Sequence, residues 1–182
     1  MARYNVFEST NMKSTYYAER ILDVVCSTDV ENGTFGYVEN TDTEDIKTFV
    51  KGYKNGCQIL VADNPAWDLD MVNATTHSAV RKDKYINKSD IPFRVRVVGK
   101  GDTFATAIEG VTTDSQTLMK KGAYLTIDTA TGKLVAKATS TSDAAFEAIV
   151  EKENMRGGLI ETTAHKYGYA RKMYQCTVKT LA

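Results

Sequence analysis

PFRVRVVGKGDTFATAIEGV (92–111), KKGAYLTIDTATGKLVAKA (120–138) and AAFEAIVEKE (144–153) decide the fold class. Each strings alternating apolar residues into a short run that ends at a glycine or a polar turn. Ala123, Leu125 and Ile127 share one face while Tyr124 and Thr126 take the other, the period of two of a half-buried strand. Leu134, Ala136 and Ala138 repeat the pattern against Lys133 and Lys137. Between the two runs lies Asp128 to Gly132, whose glycine supplies a positive φ without a Cβ clash. The spacing predicts a β-hairpin.

Outward from this hairpin the same punctuation recurs. RILDVVC (20–26) reads as a strand, TFGYV (34–38) follows the Asn32-Gly33 turn, and CQILVA (57–62) reads as a buried strand stopped by Asp63-Asn64-Pro65. GLIETT (158–163) and residues 168–181 close the chain as two more strands. In the second, Ala170, Tyr174, Cys176 and Val178 share a parity that Lys172 breaks, which suits an edge or a snorkelling side chain. One helix interrupts the β pattern: Thr41 and Glu44 have capping-box spacing, Ile46, Phe49, Val50 and Tyr53 follow at helical intervals, and Gly56 stops it. Residues 68–90 show no period and are expected to form a long loop. Residues 2–19 carry Tyr4, Phe7, Met12, Tyr16 and Tyr17 in no regular period. They read as an arm whose aromatic rings lie either on the chain's own core or on a neighbour. The sum is a mainly β chain of about eight to ten strands. The expected architecture is a small antiparallel β-barrel or sandwich with one short helix and an extended N-terminal arm. The arm is drawn at 1–18 and a single β-rich domain at 19–182.

Composition narrows the function classes. The 182 residues suit one domain, and 23 basic against 23 acidic side chains leave no net charge. Nothing in that balance gives the long-range pull on phosphate that a nucleic-acid binder carries, so no nucleic-acid partner is expected. Cys26, Cys57 and Cys176 are odd in number and widely separated, which reads as reduced, buried thiols. No run approaches the ~20 apolar residues of a membrane span, and residues 1–15 lack the apolar stretch of a signal peptide. No membrane partner is expected, and synthesis is expected in the cytoplasm. In that setting the Asn-x-Ser/Thr triplets at Asn32, Asn73 and Asn87 carry little weight as sugar acceptors.

Candidate chemistry is sparse. His77 and His165 are the only histidines, and both sit in polar stretches without a nucleophile signature. Asp68-x-Asp70 offers oxygen ligands but lacks the rest of a calcium loop. Gly99-Lys100-Gly101-Asp102-Thr103 lacks the order of a phosphate loop and runs into DTFATAI, a strand, so a tight turn is the better reading. Arg94, Arg96 and Lys100 read as the wet face of a strand. No catalytic, cofactor or metal residue is expected. Trp67, in NPAWDLD (64–70), is either a loop anchor or a contact residue.

NPAWDLD (64–70), FRVRVVGKGDTFATAIEGV (93–111), KKGAYLTIDTATGKLVA (120–136) and FEAIVE (146–151) together resemble the capsid decoration, or cement, proteins of tailed bacteriophage heads. The resemblance implies a compact β-rich structural module on the virion surface. Such a module binds the outside of an assembled shell near local threefold axes and reinforces contacts between major capsid proteins. It implies the major capsid protein as partner, self-association as a trimer, and no cofactor. The residues expected to meet a partner are Tyr4, Phe7, Tyr16, Tyr17 and Trp67. Two other readings stand beside it: a different phage structural component (tail, connector or fibre base), and a small hydrolase or carbohydrate-binding barrel that would use His77 or His165.

Overall fold

A computed structural model describes residues 4–39, 46–65, 85–141, 144–156 and 171–181. These hold eleven strands: β1 (Phe7–Asn11), β2 (Ile21–Val25), β3 (Phe35–Val38), β4 (Lys47–Lys51), β5 (Leu60–Ala62), β6 (Phe93–Val97), β7 (Thr103–Ala107), β8 (Tyr124–Ile127), β9 (Leu134–Lys137), β10 (Phe146–Arg156) and β11 (Arg171–Leu181). Five close into a barrel in the order β2-β4-β3-β5-β6, and six form a sheet in the order β1-β7-β11-β10-β8-β9. The chain is therefore mainly β, as the patterning predicts.

The barrel follows from alternation. In β6, Phe93, Val95 and Val97 are buried while Arg94 and Arg96 stay half-buried outside. The inward residues meet Val24, Val38, Phe49, Leu60 and Ala62 in one cluster. Neighbouring strands are antiparallel except β2 and β4, whose parallel pairing (Val24 with Lys47, Val25 with Thr48) closes the ring and leaves no edge inside it. Phe49 and Phe93 cross edge to face at 5.6 Å. Phe49 fits only because β3 carries Gly36, where a Cβ would lie 2.3 Å from the ring.

The sheet covers one side of the barrel through a second core. Phe104, Leu125, Ile127, Leu134, Phe146, Val150, Cys176 and Val178 from the sheet pack with Phe35, Ile59 and Val61 from the barrel wall. Phe35 stands between Phe104 and Phe146, at 5.8 and 5.1 Å between ring centroids. All three residues of β5 are buried: Leu60 and Ala62 join the barrel cluster and Val61 the shared one. This explains the unbroken apolar run CQILVA, since burial on both faces erases the alternation. The predicted hairpin is β8–β9, with Ile127 opposite Leu134 and Leu125 opposite Ala136. Its turn docks on the barrel, where Gly132 O accepts the Phe35 N–H at 2.8 Å and Phe35 O accepts the Gly52 N–H at 3.0 Å. The outer edge of β9 is capped by residues 111–115: Thr112 N–H donates to Leu134 O, and Ser115 Oγ accepts the Ala136 N–H.

One expectation is corrected. The helix predicted around Ile46, Phe49, Val50 and Tyr53 is strand β4 followed by a turn at Gly52, whose φ is +97°. The three-and-four spacing there is coincidental. Phe49 enters the barrel core, Tyr53 packs on the other core beyond the turn, and Ile46 is exposed. Strand pairing with β2 and β3 outweighs local periodicity. Thr41 and Glu44 lie outside the described residues, and the longest helical segment among the described ones is the 3-10 helix Thr113–Leu118. The N-terminal segment is extended, but it lies on the chain's own body. β1 pairs with β7, and Phe7 and Met12 belong to the shared core. GLIETT (158–163) lies outside the described residues.

Candidate docking surface

Residues 12–20 link β1 to β2 through two short 3-10 turns, Lys13–Thr15 and Ala18–Arg20. Met12, fully buried, anchors the link in the core. Around it the backbone is heavily bonded. Met12 N–H donates to Ser9 O, Thr15 N–H to Met12 O, Tyr16 N–H to Lys13 O and Arg20 N–H to Tyr17 O, all at 2.9–3.0 Å. Side chains from distant strands fasten it further. Asp102, buried in the turn between β6 and β7, accepts the Lys13 N–H on Oδ1 at 3.1 Å and the Gly99 N–H on Oδ2 at 2.7 Å. Arg96 Nη1 donates to Ser14 O at 3.1 Å, and its Nε pairs with Asp63, which also accepts from Ser9 Oγ.

On this fixed link Tyr16 and Tyr17 project outward, 75% and 56% exposed. The same link carries Lys13, which is exposed and whose Nζ donates to the O of exposed Lys100 at 2.9 Å, and Arg20, which is half-buried beside Gly99. Exposed tyrosines whose backbone is already ordered lose little conformational freedom on contact. They offer large apolar area with a polar tip, the composition of interface anchors.

A second polar assembly joins Asn32, Asn64, Tyr85 and Asn87. Asn64 takes the Asn32 side chain in a two-way pair: Asn32 Nδ2 donates to Asn64 O at 2.7 Å and Asn64 N–H donates to Asn32 Oδ1 at 3.1 Å. Tyr85 OH accepts from Asn64 Nδ2 at 2.6 Å, and Asn87 Nδ2 donates to Val30 O and Asn32 Oδ1. Asn5 extends the network to the sheet. Its Nδ2 donates to Asn32 O, and its Oδ1 accepts the Thr106 hydroxyl and the Ala107 N–H. Asn5, Asn87 and Thr106 are buried, and these bonds satisfy polar groups that burial would otherwise penalise.

The predicted contact residues separate. Tyr16 and Tyr17 are exposed side by side. Tyr4 is half-buried. Phe7 is 3% exposed and stacked on Phe104 at 5.4 Å, so of its two possible homes it takes the chain's own core. Trp67 lies outside the described residues, as do His77, His165, Asp68 and Asp70. Arg94 and Arg96 are half-buried, not the wet face expected; Arg96 is held by Ser14 O of the N-terminal link and by Asp63. The Gly99–Asp102 segment is the predicted tight turn, with Gly101 at φ +84° and Asp102 N–H on Gly99 O at 3.1 Å. Cys26 and Cys176 are buried and Cys57 is half-buried, all three as free thiols. Burial, reinforced by the nearby Glu151 carboxylate, pushes the Cys176 thiol far up. Among the described residues no three His, Cys, Asp or Glu side chains converge as metal ligands, and no helix there is long and apolar enough to cross a membrane. Sequence reasoning missed Asp102, Asp63, Ser9 and the asparagines. The only local signal was the turn propensity of Asn32-Gly33 and Asn64-Pro65. Compared with protein-family models, curated proteins and solved structures, the chain finds no match.

Proposed function

We propose that this chain is a non-enzymatic structural protein of a tailed-phage virion. In this reading it binds the outer surface of the assembled capsid and reinforces contacts between major capsid proteins. The observation that carries the reading is the exposure of Tyr16 and Tyr17 on a link whose backbone is bonded to the β body through Lys13 and Ser14. A cement protein meets many copies of one site, so modest contacts become durable when several copies engage a shell together. A short pre-ordered contact suits that task, and the reading calls for no cofactor. Copies gathered as trimers at threefold positions would supply the multivalency.

Cosedimentation with bare expanded shells tests it, with bound copies counted per major capsid subunit. Saturation at a fixed, near-stoichiometric ratio is expected. The double variant Tyr16→Ala/Tyr17→Ala should lose most of that occupancy while its unfolding free energy in urea stays within about 0.5 kcal/mol of the parent, as exposed substitutions usually do. A folded protein that does not bind shells overturns the proposal in favour of another virion position. Full binding by the double variant removes the tyrosines from it.

A further inference from the structure

The sequence holds two Asn-Gly pairs, Asn32-Gly33 and Asn55-Gly56. The structure folds both into the same turn. Gly33 and Gly56 have φ of +83° and +80°, while neither asparagine has a positive φ. Thr34 N–H closes the first turn on Glu31 O at 3.2 Å, and Cys57 N–H closes the second on Lys54 O at 3.1 Å. Each asparagine thus occupies the second position, and each glycine the third, of a type II turn. Backbone class is matched, and only the surroundings differ.

Around Asn32 every reactive atom is held. Its Nδ2 donates to Asn64 O, and its Oδ1 accepts from Asn64 N–H and Asn87 Nδ2. Gly33 N–H donates to Ala62 O at 2.7 Å. Gly33 is itself buried, with the Asn5 amide 2.3 Å from where a Cβ would stand. Asn55 and Gly56 are exposed, nothing lies within 4 Å of a Cβ built on Gly56, and among the described residues neither makes a hydrogen bond.

We propose that Asn55 is a site of spontaneous backbone modification and that Asn32 is held inert by its network. The Gly56 nitrogen attacks Asn55 Cγ. The N–Cγ bond forms, the Cγ–Nδ2 bond breaks, and ammonia leaves with the proton lost from the glycine nitrogen. Glycine permits this because no Cβ shields its nitrogen. Water then adds to either carbonyl of the five-membered imide and opens it to aspartate or isoaspartate. The product carries a new carboxylate next to Lys54, whose Nζ already pairs with Glu39 at 2.9 Å. The isoaspartate form also lengthens the backbone of a turn that ends at Cys57. None of this depends on the virion reading.

Peptide mapping by mass spectrometry, with enzymatic isoaspartate detection, tests it on the full chain incubated at mildly alkaline pH, native and in urea. In the native protein residue 55 should convert, and residue 32 should lag by about a hundredfold or more, since its attack needs a local opening that breaks the network. In urea both pairs should convert at similar rates, and Asn55→Gln should abolish the native conversion. Equal native rates at 32 and 55, or a residue 55 that reacts only after unfolding, would overturn the proposal.

Discussion

The joint between barrel and hairpin gives the sharpest test of the fold. At Gly52 the backbone has φ +97°, and an added Cβ would lie 2.1 Å from Thr129 O in the β8–β9 turn. That is about 1.3 Å short of the 3.4 Å at which ordinary contact begins. Gly52→Ala therefore incurs two costs. The positive φ strains any L side chain by about 1–3 kcal/mol, and displacing the packed turn adds about 1–3 kcal/mol, the usual range for overpacking. The turn cannot yield freely, because Gly132 O holds the Phe35 N–H and Phe35 O holds the Gly52 N–H. Gly122→Ala is the matched control: φ is +85° there, but nothing lies within 4 Å of the new Cβ. Both substitutions restrict the unfolded chain equally, so that contribution cancels between them. Urea and thermal melts should show Gly52→Ala destabilised by about 3–4 kcal/mol, or about 6–16 °C for a chain of this size, against about 1 kcal/mol and about 2–4 °C for Gly122→Ala. Equal losses would mean that the hairpin turn does not bear on the barrel.

Thiol labelling should be graded by burial: Cys57 reacts with a small aromatic disulfide in the native protein, whereas Cys26 and Cys176 react only as fast as the protein unfolds. Rapid native labelling of all three would contradict the packing of β11. The Asp128 carboxylate accepts from Ala130 N–H, Thr131 N–H and the Thr131 hydroxyl, and these bonds lower its pKa from the ordinary 3.8. A lowered folded-state pKa means a contribution fully present above that value and lost as pH falls through the folded one. The stability gap between parent and Asp128→Ala should stay below about 1 kcal/mol, because the turn is wet. That gap should be constant from neutral pH to about pH 5 and close in stronger acid, and a gap that widens on acidification would refute the assignment. Deleting residues 2–17 removes β1 together with buried Phe7 and Met12. At about 2–5 kcal/mol for each lost core side chain the loss rivals the whole stability of a typical domain. The truncated chain should show no cooperative urea transition, and a normal melt would mean that β1 is dispensable.

What was legible in the sequence is what depends on near neighbours. Leu125, Ile127, Leu134 and Ala136 announce their burial by alternation, and Gly132 announces the turn that joins them. Phe93, Val95 and Val97 do the same for β6. Elements that answer to distant partners were not legible. β4 satisfies a helical spacing by accident, and only its pairing with β2 and β3 makes it a strand. The β10–β11 ladder carries two compensating register shifts. They leave Lys179 and Glu151 as the extra residues on opposite strands, joined by an ion pair at 3.3 Å. No local pattern encodes such a pair of bulges. The asparagine network spans up to 102 positions of sequence, from Asn5 to Ala107. Asn32 and Asn87 read as idle sugar-acceptor triplets, yet their side chains bond Asn64 O and Val30 O.

The N-terminal segment shows why its two possible homes could not be separated by composition alone. Phe7, Met12, Tyr16 and Tyr17 are similar in hydrophobic character and crowded into eleven residues. Two of them complete the chain's own core, and two are turned away from it. The division is made by Asp102 and Arg96, which reach the link from the β6–β7 region and fix its backbone on either side of Lys13 and Ser14. After Ser14 the backbone closes its turn on Lys13 O before β2 re-enters the barrel, which leaves both tyrosines on the outside. Fold and proposed docking surface thus share one segment. A partner that grips Tyr16 and Tyr17 pulls on a link fastened through Met12 to the core, so that a load on the contact is carried by the β body.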